Sequence, residues 1–125
     1  MIFNINRVYK IKFYIDLRTK RMPVLDYIAS LEKKDRAKIL KFIDFLREND
    51  GYLEEPYTKH IKGEIRELRV DFASNRHRIF YFSFVGRNII LLHAFLKHTQ
   101  KTPLGEIKKA EENYFNVIKN RQIYE

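Results

Sequence analysis

Residues 65–103 read IRELRVDFASNRHRIFYFSFVGRNIILLHAFLKHTQKTP. Three apolar runs stand out, Leu68 to Phe72, Ile79 to Val85 and Ile89 to Leu96, and their length and their β-branched and aromatic content predict strands. Turn residues divide them at Ser74–Asn75 and at Gly86–Arg87–Asn88, so consecutive strands pair as an antiparallel meander. The run from Ile89 is apolar at odd and even positions alike, which predicts a strand in the middle of the sheet. Cations punctuate the strand ends: Arg66, Arg69, Arg76, Arg78, Lys97 and Lys101. A sheet with such a surface suits a polyanion, because the planar guanidinium fork makes bidentate, charge-assisted hydrogen bonds to phosphate.

Outward from this stretch the pattern changes from period two to helical spacing. Val8 to Ile15 alternates apolar and basic residues imperfectly and predicts a first strand. Pro23 suits the first turn of a helix, where its missing N–H is no loss, and Val24, Ile28 and Leu31 follow as one apolar stripe. The polar cluster Glu32 to Arg36 predicts a bend. A second helix shows a broad face of Ile39, Leu40, Phe42, Ile43, Phe45 and Leu46, and Asn49, Asp50 and Gly51 stop it. Pro56 through Lys59 and His60 to Gly63 reads as an irregular loop. Pro103 opens a last helix over about Leu104 to Lys119, with Ile107, Ala110, Tyr114 and Val117 on one stripe. The expected fold is α+β: an N-terminal strand plus a three-strand meander, two N-terminal helices and a C-terminal helix, all packed on one sheet face. The opposite face is then left for solvent, substrate or partner.

Composition sets further bounds. The 125 residues are expected to form one domain, 1–125, with a core of its own. With zero cysteine, disulfide scaffolds and thiolate metal sites are excluded, and a reducing cytoplasm is expected. The opening MIFNINRVYKIKFYID is too often broken by polar residues for a secretory segment, and no apolar run approaches the roughly 18–20 residues of a membrane span. Net charge is +9, which favours nucleic acid or an acidic protein as partner. From Lys59 to Lys101 there are nine Lys and Arg against three acids, a net +6, so most of the excess belongs to the sheet.

Taken together, Glu67-Leu68-Arg69, Arg78 to Phe82 (RIFYF), Leu91 to His93 (LLH) and above all Lys97 to Pro103 (KHTQKTP), followed by the helix EIKKAEE, make the chain resemble RelE/HigB-type toxins of bacterial toxin–antitoxin pairs, in their phage-associated HigB-like branch. His98 stands where that branch often carries a second basic residue after the lysine. The resemblance implies a RelE-like fold and an mRNA interferase: an endoribonuclease that cuts mRNA in the ribosomal A site and is neutralised by a helix-turn-helix antitoxin. Operator DNA would be met only through the antitoxin complex, and no cofactor or metal is implied.

Such chemistry needs a base for the RNA 2′-hydroxyl, cations for the crowded phosphate and an acid for the 5′-oxygen. Arg69 and Arg78 are the expected transition-state cations, and Lys97 joins them at the phosphate. Glu67 is a candidate general base, or simply an ion-pair partner of Arg69 two residues along the same strand face. Tyr81 and His98 are candidates for stacking or proton donation, although Tyr81 alternates with Phe80 and Phe82 as a core aromatic would. Lys59, Arg66, Arg76 and Lys101 are expected to bind RNA. His93 reads as a hydrogen-bonded structural residue, and His60 and His77 as surface residues. His93 and His98 face opposite sides of a strand and have no metal-ligand spacing. A different class remains open as well: a ParE-like toxin that binds gyrase, or an inactive corepressor that only binds antitoxin.

Overall fold

The computed structural model describes residues 8–84 and 86–125; residues 1–7, which open the N-terminal stretch, and Val85, the end of the second apolar run, lie outside them. In chain order the elements are β1 (Lys10–Phe13), α1 (Pro23–Ala29), α2 (Lys33–Glu48), β2 (Thr58–Lys62), β3 (Ile65–Phe72), β4 (Asn75–Phe84), β5 (Asn88–Leu96) and α3 (Leu104–Lys119), with a short 3-10 turn at Arg121–Tyr124. The strands form one five-stranded sheet in the order β1-β5-β4-β3-β2. β2 through β5 are an antiparallel meander, whereas β1 returns to pair in parallel with β5. The α+β expectation holds.

Local chemistry accounts for the boundaries. Pro23 sits in the first turn of α1, where a helix has no intrahelical use for an N–H. Asp50 and Gly51 adopt positive φ after α2, and the Gly51 N–H donates to the Leu46 carbonyl at 2.9 Å, closing the helix end. A side chain at Gly51 would run into Ser83. Between β4 and β5, Gly86 and Arg87 both take positive φ, the backbone that matches the twist of a tight hairpin.

Several expectations are corrected. The segment read as a loop from Lys59 to Lys62 belongs to β2, paired with β3 with a register shift between His60 and Lys62. β2 is an edge strand, and its exposed positions carry cations, as edges that must not recruit another strand often do. The polar cluster after Leu31 is no bend: Glu32 stands at the N-cap position of α2 without a side-chain capping bond, and Lys33 to Arg36 form its first turn, with Asp35 turned inward. The helices also do not share one face. Val24, Ile28, Ile39, Ile43 and Leu46 of α1 and α2 pack on Leu68, Val70, Ile79, Tyr81, Ile89 and Leu91. Ala110 and Val117 of α3 pack on the reverse side against Phe80, Phe82, Phe84, Ile90 and Leu92. β4 and β5 are apolar on both faces, so both faces require a cover. β4 rather than β5 is the middle strand, although β5 is also paired on both sides.

His77 is likewise not a surface residue. It is almost fully buried between the helices and β4. Its Nε2 lies 2.7 Å from Asp35 Oδ2, and its Nδ1 lies 2.7 Å from the Tyr27 hydroxyl. Asn75 donates to the same Asp35 oxygen at 2.9 Å. This polar cluster ties α1, α2 and β4 together and satisfies its own buried groups.

Candidate active site

The reverse face of the sheet divides in two. α3 covers its aromatic half; beyond that cover the same strand positions turn from aromatic to charged. Alternation along β3 puts Ile65, Glu67, Arg69 and Asp71 on this face and Arg66, Leu68 and Val70 on the other. Register then sets Glu67 opposite Phe80, Arg69 opposite Arg78 and Asp71 opposite Arg76. On the other side of β3, Lys59 of β2 stands opposite Glu67. Lys97 follows β5 directly, and its backbone N–H donates to the Arg76 carbonyl at 2.8 Å.

Two carboxylates hold the arginines. Glu67 is fully buried, and both its oxygens are engaged. Oε1 accepts from Arg69 Nε at 3.0 Å and Oε2 from Thr102 Oγ1 at 3.3 Å. The second contact folds the Lys97–Pro103 segment back over β3. Arg78 is nearly buried, and its Nη1 donates to Asp71 Oδ1 at 2.7 Å and to the His77 carbonyl at 3.0 Å. Its Nε is buried with no hydrogen-bond partner among the described residues.

Lys97 is the electrostatically uncomfortable member. Its side chain is largely buried, and burial is the first cause that pulls its ammonium below the usual lysine value. Arg78, Arg69 and Arg76 push it further down, and Glu67 opposes them. His98 and Lys101 are exposed on the segment that follows, whose turn is fastened by the Thr99 hydroxyl donating to the Lys101 carbonyl at 2.6 Å.

Of the ten residues expected from the sequence, Glu67, Arg69, Arg76, Arg78, Lys97 and Lys59 share this face, His98 and Lys101 follow on the exposed segment beyond it, and Tyr81 and Arg66 lie on the opposite face. Tyr81 points into the core on the α1/α2 side, where its hydroxyl donates to the Gly51 carbonyl at 2.9 Å and burial raises its pKa. Arg66 lies on that side too, with its guanidinium 4.9 Å from the Tyr52 ring and Nη2 donating to Thr58 Oγ1 at 3.2 Å. Strand parity explains both. The sequence reading assigned no role to Asp71 or Thr102. Asp71 was visible two residues beyond Arg69, whereas nothing local marks Thr102 as the partner of a glutamate 35 positions earlier.

The other histidines serve structure. His93 Nε2 lies 2.6 Å from Glu106 Oε1, joining β5 to the first turn of α3. His60 Nε2 lies 2.8 Å from the Gly63 carbonyl in the β2–β3 turn. Among the described residues, no three histidine or carboxylate side chains converge as metal ligands would. A cavity of about 350 Å³ lined by Tyr14, Asp16, Arg18, Asn116 and Asn120 shares no residue with the charged cluster. Among the described residues, no helix is long and apolar enough to cross a membrane.

Residues 26–115, which contain the whole cluster, match the family described as "Phage derived protein Gp49-like (DUF891)". Over 76 residues the chain is 36% identical to "Probable endoribonuclease HigB1" of Mycobacterium tuberculosis, in strain CDC 1551 / Oshkosh and in strain ATCC 25618 / H37Rv. That alignment spans 61% of the chain and 60% of each of these relatives. The chain therefore belongs to the Gp49-like family of phage-derived proteins, a family of RelE/HigB-type toxins.

Proposed function

We propose that the chain is the toxin of a toxin–antitoxin pair and an endoribonuclease that cuts mRNA in the ribosomal A site without a metal ion. One observation carries this reading: Arg69, Arg76, Arg78 and a largely buried Lys97 gather near the buried Glu67 on the sheet face beyond α3. A protein that acted only by docking to gyrase or to an antitoxin would have no use for a lysine held at an electrostatic disadvantage among three arginines.

In the proposed reaction the RNA 2′-oxygen attacks its own 3′-phosphate. A base takes the 2′-hydroxyl proton, the P–O5′ bond breaks, and an acid returns a proton to the 5′-oxygen. The products are a 2′,3′-cyclic phosphate and a 5′-hydroxyl. Arg69 and Arg78 stabilise the charge that builds on the phosphate oxygens. Glu67 orients Arg69, since both its oxygens are already engaged. Lys97 is the base, its ammonium held below the usual lysine value first by burial and then by the neighbouring arginines. His98 is the acid, exposed on the same segment. Lys59, Arg76 and Lys101 hold the flanking phosphates. The partners are the ribosome, mRNA and a helix-turn-helix antitoxin, and the compartment is the cytoplasm.

The test uses purified protein on translating ribosomes, with primer extension and end-group analysis of the products. Cleavage that survives chelation at concentrations sparing the ribosome, with 2′,3′-cyclic or 3′-phosphate ends, is expected. Co-expression with the product of the adjacent gene should relieve growth arrest. A 3′-hydroxyl product, or cleavage rescued only by added divalent metal, overturns the mechanism. Protein that neither cuts RNA nor arrests growth overturns the function.

A further inference from the structure

The two carboxylates of the cluster differ in how they are held. Glu67 is fully buried and saturated, locked between Arg69 and Thr102. Asp71 is loose: its side chain is 61% exposed, while that of its partner Arg78 is 6% exposed. At 2.7 Å the Asp71 Oδ1 gives Arg78 Nη1 what a phosphate oxygen would give it, a charge-assisted acceptor on the open side of a buried guanidinium. The Arg78 Nε–H lies on the other edge of the guanidinium, beside Nη2, and is buried without a partner among the described residues, as is that of Arg66 on the opposite face.

We propose that the Asp71 carboxylate is a placeholder for the substrate phosphate, holding Arg78 in position in the free protein and giving way when a phosphate takes over the guanidinium. The inference rests on the nuclease reading and deepens it. It adds a positioning residue that competes with the substrate. Three observations support it. Asp71 stands opposite Arg76 on the cationic face, so a second cation is at hand for the displaced carboxylate. Its exposure lets it swing into solvent without opening the core. The His77 carbonyl, 3.0 Å from the same Nη1, keeps Arg78 anchored after Asp71 has left.

The placeholder makes a prediction opposite to that of a structural clamp. Asp71→Asn keeps the size and one oxygen acceptor but removes the competing charge. RNA should then bind more tightly, with KM lowered about three- to fivefold, on the scale of one partly exposed ion pair, and kcat changed less than about twofold. Asp71→Glu, which restores a carboxylate, should return KM to the wild-type value. Asp71→Ser, a second replacement at this exposed position, should behave like Asp71→Asn.

A second measurement does not depend on RNA cleavage. Inorganic phosphate is titrated into the full chain while the Arg78 Nε–H resonance is followed by NMR. Phosphate should shift that resonance at lower concentration in Asp71→Asn than in wild type. If the Asn and Ser variants lose kcat with KM unchanged or raised, Asp71 is a clamp and the inference is overturned. Equal phosphate affinity in wild type and variant also overturns it. If the wild type cuts no RNA, the nuclease reading falls and the phosphate titration alone decides the role of Asp71.

Discussion

Lys97 shows how a functional residue can work against the fold that carries it. Its charged form is disfavoured first by burial and then by three arginines, so the native state binds its proton less tightly than the unfolded chain does. Stability should therefore rise with pH across the interval between the lowered native value and the ordinary lysine value. At neutral pH the folded protein carries the cost. Lys97→Met is expected to abolish RNA cleavage, to melt no lower than wild type and to flatten that alkaline rise. Thermal unfolding from pH 7 to 11, read beside a cleavage assay, checks all three; a clearly lower melting temperature would show that Lys97 is structural. The arginines separate in the same assay. Arg69→Ala and Arg78→Ala should each lose about a hundredfold or more in cleavage rate, the scale of one lost transition-state donor. Arg66→Ala, on the opposite face, should leave the rate near wild type. The identities of Arg69, Arg78, Lys97 and Glu67 as a charged set were readable from the sequence. The state of Glu67 was not, because its burial depends on Thr102 folding over it.

Among the elements, strand parity did most to sort the candidates. Period two puts Glu67 with Arg69 on one strand face, as the structure has it, and Tyr81 lies on the face opposite to Arg78. β2 escaped that reading because an edge strand with one inward side needs little apolar content: Thr58 is its buried position and Ile61 is half-buried. His77 escaped it because a histidine between two arginines looks like a surface residue until α1 and α2 close over it. The cluster of Tyr27, His77, Asp35 and Asn75 is what fastens those helices to β4. Tyr27→Phe removes the hydroxyl and leaves a buried ring nitrogen without its partner. A loss of about 1–3 kcal/mol in urea unfolding is expected, with cleavage by the folded fraction unchanged. The Asp35 carboxyl is held below the usual carboxylate range, first by His77 and then by Asn75. Its contribution is therefore present above the unfolded carboxylate value and is lost as pH falls through the lowered native one. Asp35→Asn should flatten the acid limb of the stability profile, and an unchanged limb would assign acid unfolding to other carboxylates.

For the whole molecule, the +9 charge acts at a distance and the sheet gives it direction. Lys101 is exposed and lies outside the arginine cluster, so Lys101→Ala should weaken ribosome binding and reduce its salt dependence by about one counterion. Co-sedimentation across a salt series reads this directly, and an unchanged slope would remove Lys101 from the RNA path. The order of elements apart from β2, the α+β class, the helix ends at Pro23, Gly51 and Pro103, and the concentration of cations on the meander were legible in the chain. Each depends on neighbours a few residues apart: a φ angle, a missing N–H, a period of two or of 3.6. That α3 covers the reverse face, that β1 returns to lie parallel to β5, that Thr102 reaches Glu67 and that His77 is enclosed were decided only in three dimensions. Those contacts join residues well separated in the chain, and which partner wins depends on how both faces of β4 and β5 are covered together.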